Sequence, residues 1–165
     1  MPATYSVTNA WFRAPSKNCS FRRDWSKGAA TSLQDFEDPL ATDDYALCIF
    51  EAGKPRPLLA AHVPAGGTCP NNVPCWAFKT ILYKYKDKAA TPDGITKMLL
   101  KSSTTAGKPK IGVKGQGTLL RLPTPPLLGT VRVELRTSAP GSVCWGADHT
   151  TVLKNSASSF TAKGD

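Results

Sequence analysis

The stretch from Lys79 to Lys114 decides the fold, because it holds three runs that alternate: Lys79-Thr-Ile-Leu-Tyr-Lys-Tyr-Lys86, Ile95-Thr-Lys-Met-Leu-Leu-Lys101 and Lys108-Pro-Lys-Ile-Gly-Val-Lys114. In the first, Ile81, Tyr83 and Tyr85 share one face while Lys84 and Lys86 take the other. In the second, Lys97 and Lys101 oppose Met98 and Leu100. In the third, Ile111 and Val113 oppose Lys108, Lys110 and Lys114. Alternation of period two marks a half-buried strand rather than a helix. If the runs are neighbours in space, Lys84, Lys86, Lys97, Lys101, Lys108, Lys110 and Lys114 line one exposed sheet face.

The same period recurs outward along the chain. Strands are expected over 19–25, 45–51, 58–63, 76–86, 95–101, 108–114, 130–137, 142–147 and 159–163. With 13 Gly and 14 Pro in 165 residues, turns and short elements prevail over long helices. Asp87–Gly94, ending in Pro92-Asp93-Gly94, and Ser138–Gly141 read as hairpin connections. Leu119–Gly129 is apolar but broken by Pro123, Pro125 and Pro126, which suits a crossover over a sheet edge. The expected fold is all-β: an antiparallel two-layer β-sandwich, immunoglobulin-like or related, supported by disulfides. Residues 1–18 read as a lead segment able to supply a first strand, and 19–165 as a single β-sandwich domain.

The net charge of +9 is local. Residues 1–78 are neutral, whereas between Lys79 and Arg121 ten basic groups face only Asp87 and Asp93. A field of one sign recruits anionic partners. The plainer alternative is that lysines keep a sheet face soluble and its edges unpaired. The lysine face carries no interleaved aromatics, which argues against single-stranded nucleic acid and leaves acidic polysaccharide or another cell-surface polymer as the partner class.

Five cysteines occur, with no Cys-x-x-Cys and only two histidines, His62 and His149, so no zinc pattern is present. Cys69-Pro-Asn-Asn-Val-Pro-Cys75 forms a compact turn that a disulfide closes easily. Cys48 and Cys144 both sit in strand-like runs and are expected to pair, which in the chain-entropy model is worth roughly 4–5 kcal/mol. Cys19 is left over, open to a role as a buried thiol, a link between chains, or a competitor for one of these pairings. This usage favours an oxidising compartment. The start, Met1 to Tyr5, shows no signal peptide, which is compatible with export if Met1 opens a fragment. No apolar run reaches the length of a membrane helix.

Catalytic signatures are weak. There is no Gly-x-Ser-x-Gly and no phosphate loop. Gly112–Gly117 opens no helix and reads as a turn or bulge. Cys144 and His149 could be imagined as thiolate and base, but a structural half-cystine and a loop histidine are the simpler assignments. The acidic segment from Asp35 to Asp44 reads as a surface loop without a recognisable calcium pattern. Trp76 and Trp145 each follow a cysteine, and since adjacent strand residues face opposite ways, either the tryptophan packs inside with the disulfide at the rim or a bulge turns both inward; buried tryptophans are expected.

Ala61–Cys69 followed by Cys75-Trp76, Tyr83–Lys88 with Thr91–Ile95, Lys110–Gly117, and the closing Phe160–Lys163 together resemble an uncharacterised domain. It occurs near the ends of secreted or surface-attached proteins of deltaproteobacteria and related Gram-negative bacteria. The resemblance implies an extracellular or periplasmic β-module and carries no site residues. The expectation is therefore a non-catalytic structural or adhesive module of a secreted, periplasmic or surface protein, with no catalytic residue, metal or cofactor. Two alternatives stand beside it: a binding module for acidic polysaccharide, and a self-assembling filament or shell subunit joined through Cys19 or an uncovered strand edge.

Overall fold

A computed structural model describes residues 3–4, 7–13 and 19–164. Their strands are, in chain order, β1 (Ala3–Thr4), β2 (Val7–Arg13), β3 (Ser20–Trp25), β4 (Tyr45–Glu51), β5 (Leu59–Val63), β6 (Thr68–Cys69), β7 (Val73–Pro74) and β8 (Trp76–Lys79). There follow β9 (Leu82–Lys86), β10 (Ile95–Lys101), β11 (Lys110–Gln116), β12 (Val131–Thr137), β13 (Trp145–His149), β14 (Thr151–Ser156) and β15 (Ser159–Lys163). A five-stranded sheet runs β1-β13-β12-β4-β5 and an eight-stranded sheet runs β14-β15-β2-β3-β11-β10-β9-β8. β6 and β7 pair as a small ribbon. All pairings are antiparallel except β1 with β13.

Alternation explains which faces are buried. Tyr45, Leu47 and Ile49 of β4 lie level with Thr137, Leu135 and Val133 of β12. From the eight-stranded sheet come Phe21 and Trp25, Ile111 and Val113, Met98 and Leu100, and Tyr83 and Tyr85. All belong, with the apolar side of β4, β5, β12 and β13, to one buried hydrophobic cluster. Each large side chain fully removed from water contributes about 1.5–3 kcal/mol. Trp76 and Trp145 are in this cluster, and Cys75, partly buried, packs against it as well. Polar contacts join the sheets at their rim. The indole N–H of Trp76 donates to the Pro64 carbonyl at 2.8 Å, and the backbone N–H of His62, on edge strand β5, donates to the Asp93 carboxylate at 2.8 Å.

Several expectations need correction. The run 76–86 is not one strand but a hairpin, β8 to β9, turning at Thr80 and Ile81 with Thr80 at φ 54°. Ile81 is accordingly exposed rather than part of the Tyr83 and Tyr85 face. Gly112 to Gln116 continues β11, with the irregularity in β10 opposite, between Ile95 and Lys97. His149 closes β13 and is buried; it is not a loop residue. β14 falls outside every expected strand. Within the acidic segment, Phe36 enters the core from a short 3-10 turn, Gln34–Phe36.

The two expected hairpins, β9–β10 and β12–β13, form. Asp87 shapes the first by accepting the backbone N–H groups of Ala89 and Thr91, each at 2.8 Å. The proline-rich stretch crosses from β11 to β12 with Leu120 and Leu127 buried. The side-chain amide of Asn155 on β14 clamps it, accepting from Leu127 N–H at 3.0 Å and donating to its carbonyl at 2.8 Å.

The crossover starts against Gly94, which has φ +86° and where an added Cβ would lie 2.5 Å from the Leu120 backbone. Gly53, at φ +75°, has open space around it. Gly94→Ala should therefore destabilise the protein by about 3 kcal/mol or more, and Gly53→Ala by only about 1 kcal/mol, in urea unfolding.

Candidate anion-binding face

The outer face of the eight-stranded sheet carries six of the seven sequence-chosen lysines. Register sets Lys86 opposite Lys97, Lys97 opposite Lys114, and Lys114 opposite Arg22, so four cations stand in one row across β9, β10, β11 and β3. A second row runs Lys84, Leu99, Gly112, Asp24, and a third pairs Lys101 with Lys110. Lys108 differs: it lies in the turn before β11, where its N–H donates to Thr105 O at 3.2 Å. Like charges directly opposite across a ladder repel, and among the described residues only Asp24 is paired with a member of the row, accepting Arg22 Nε–H at 2.7 Å.

The rows enclose a trough of about 360 Å³, floored by Leu99 and Gly112 and rimmed by Arg22, Lys84, Lys97 and Lys114. At Gly112 a Cβ would sit 3.0 Å from Asp24 Oδ1 and 3.9 Å from Leu99 Cβ, so the missing side chain opens the floor and the carboxylate overlooks it. Lys84 and Lys86 also border a second hollow of about 400 Å³ whose far wall is the loop 69–75. Cys69 and Cys75 close that loop in a disulfide with Cα atoms 5.0 Å apart, as expected. Arg22, Asp24, Leu99 and Gly112 are the site residues that the sequence reading passed over.

The outer face of the five-stranded sheet is different, because its charges are neutralised. Glu134 accepts Arg132 Nε–H at 2.6 Å and two N–H groups of Arg136, and Arg132 also reaches Asp148 at 3.0 Å. Burial alone would raise the Glu134 carboxyl, but the arginine hydrogen bonds outweigh it and hold it below the usual carboxylate range.

This network also corrects the second disulfide. Cys48 and Cys144 are thiols, not half-cystines. Cys48 lies level with Glu134 on one side of β12, and Cys144 precedes Trp145, the partner of Leu135 on the other side. With β12 between them the two backbones stand about 10 Å apart or more, beyond the reach of a bridge. Burial raises both thiols above their usual range, so they are poor nucleophiles. His149 points into the core while Cys144 lies outside it, so the two form no catalytic pair. Cys19 immediately precedes β3, its carbonyl accepting from Gly117 N–H at 2.9 Å. Three carboxylates of the acidic segment are taken by backbone donors: Asp35 by Ser32 N–H at 2.6 Å, Asp43 by Asp38 N–H at 3.0 Å and Asp44 by Ala65 N–H at 2.7 Å. Among the described residues no cluster of three or more His, Cys, Asp or Glu side chains converges as a metal site, and no helix is long and apolar enough to cross a membrane.

The core holds a charge of its own. Arg23 is 0 % exposed, stacks on Trp25 with Cζ 4.6 Å from the ring centroid, and among the described residues has no hydrogen-bond partner for any guanidinium nitrogen. His149 faces it, fully buried, with Nδ1 3.1 Å from the Val131 carbonyl. Burial pushes Arg23 down to about 9; burial and the Arg23 charge push His149 down to about 4.

In comparison with known proteins, no family model, no curated sequence and no solved structure matches this chain.

The buried pair gives a stability prediction. Between pH 6.5 and 4 the unfolded chain binds a proton at His149 that the folded chain does not. Stability should therefore fall as pH drops through that window, by about 3 kcal/mol in all. Arg23→Met removes an uncompensated buried charge and should stabilise the protein at pH 7 by about 1–4 kcal/mol while flattening the acid loss. Urea midpoints of both proteins from pH 8 to 4 check this.

Proposed function

We propose that this is a non-catalytic module of a secreted or cell-surface protein that holds an acidic polysaccharide on the outer face of its eight-stranded sheet. The observation that carries the reading is the row Lys86, Lys97, Lys114 and Arg22, placed opposite one another by register. Such a row is unfavourable in isolation and favourable against a polyanion. The two sheets act as the layers of a sandwich of the broadly immunoglobulin-like kind, a rigid platform for the side chains. The Cys69–Cys75 disulfide supports an oxidising location, as does the resemblance to domains of Gram-negative surface proteins. The outward positions of β9, β10, β11 and β3 carry no stacking aromatic, which disfavours nucleic acid, while Trp11 of β2 stands opposite Arg22 at the end of the row.

A second reading, self-assembly, is favoured by one feature. β14 is an edge strand with Val152 and Leu153 exposed, an open template for another chain. Sedimentation with and without reductant separates an assembling subunit from a monomer.

The polysaccharide reading predicts retention on alginate or heparin resin at low salt that weakens steeply as salt rises. The variant Lys84→Glu, Lys97→Glu, Lys110→Glu should pass through unretained at low salt with its urea midpoint little changed. Wild-type protein that fails to bind either resin at low salt would remove the reading.

A further inference from the structure

We infer that the ligand is a carboxylated polysaccharide lying across the strands, from the disulfide loop beside β8 to Arg22 on β3, with about one acidic sugar per strand. This rests on the polysaccharide reading above and specifies its chemistry. The first argument is direction. The two hollows share Lys84 and Lys86, so the path runs from the loop 69–75 over β9, β10 and β11 to β3. Along that path one cation recurs at each strand, a repeat of about 4.8 Å, similar to the repeat of an extended pyranose chain.

The second argument is the floor. Leu99 and Gly112 offer a narrow apolar strip suited to the C–H face of a sugar ring. Gly112 has an ordinary strand conformation, so no turn requires the glycine. What its missing side chain provides is depth.

The third argument is Asp24. A carboxylate beside a cationic row weakens binding to any dense polyanion. Its Oδ2 is held by Arg22, and its Oδ1 overlooks the floor at Gly112. There it accepts a hydrogen bond from a ligand that brings hydroxyl donors along with its anions. Polyphosphate brings anions alone; a uronate chain brings both.

Isothermal titration with a length series of oligomannuronates, and with polyphosphate and oligothymidylate as comparison probes, tests this. Affinity should climb from the dimer to about four or five sugars, the span of the cationic strands, and flatten beyond. Gly112→Val should weaken oligomannuronate binding about tenfold and leave polyphosphate binding unchanged. Asp24→Ala should move the probes in opposite directions, weakening oligomannuronate and strengthening polyphosphate, which a loss of folding would not do. Binding of polyanions with no length threshold and no response to either variant would overturn the inference while leaving an anion-binding face. Tighter binding of oligothymidylate than of oligomannuronate would overturn it too, whereas no binding of any probe would remove the underlying reading as well.

Discussion

The register of β10 between β9 and β11 is the constraint on which the rest depends. One alignment sets Leu100 level with Tyr83 and Ile111, and Met98 level with Tyr85 and Val113. Since side chains alternate strictly, the register that builds this part of the core also stacks Lys97 between Lys86 and Lys114. A slip by one residue would relieve the repulsion but turn the apolar set to water. Burial of several large side chains outweighs the repulsion between exposed lysines, which water and salt screen. The fold thus maintains a cationic row, of which only Arg22 is paired among the described residues, as a consequence of its packing.

Three arginine environments show how context decides what a charge does. On the five-stranded sheet, Arg132 and Arg136 are consumed by Glu134 and Asp148. In the core, Arg23 lies over the face of Trp25 with no polar partner among the described residues, and burial makes its guanidinium bind its proton less tightly than in water. On the eight-stranded sheet, Arg22 is exposed, half-engaged by Asp24, and adds its charge to the end of a row. Only the last arrangement leaves charge available to a partner, and this distinguishes the two outer faces as candidate surfaces.

Much of this was legible in the sequence because alternation is a local property. The strand over 45–51 and the lysine faces of 95–101 follow from it directly, and the disulfide of 69–75 follows from a compact Pro- and Asn-rich turn that a bridge closes easily. What was not legible depended on pairings between distant segments. That β3 lies beside β11, and so brings Arg22 and Asp24 to the lysines, is not written in either strand. That Cys48 and Cys144 flank β12 on opposite sides is equally a matter of strand order, and it defeats a bridge that buried strand positions alone made reasonable. The hairpin at Thr80 and Ile81 was hidden because its turn places a threonine, not Gly or Asn, at positive φ. β14 was hidden because, as an edge strand with exposed side chains, it has no buried face to alternate against.

The outward side chains of β9, β10, β11 and β3 form the single sheet face on which the proposed ligand would be held. Backbone amide shifts followed during titration with an oligomannuronate test this placement most directly. The account predicts perturbations concentrated at Arg22, Asp24, Lys84, Lys97, Gly112 and Lys114, with the Arg132–Glu134–Arg136 face silent. Perturbations centred on that neutralised face, or on β14, would contradict it.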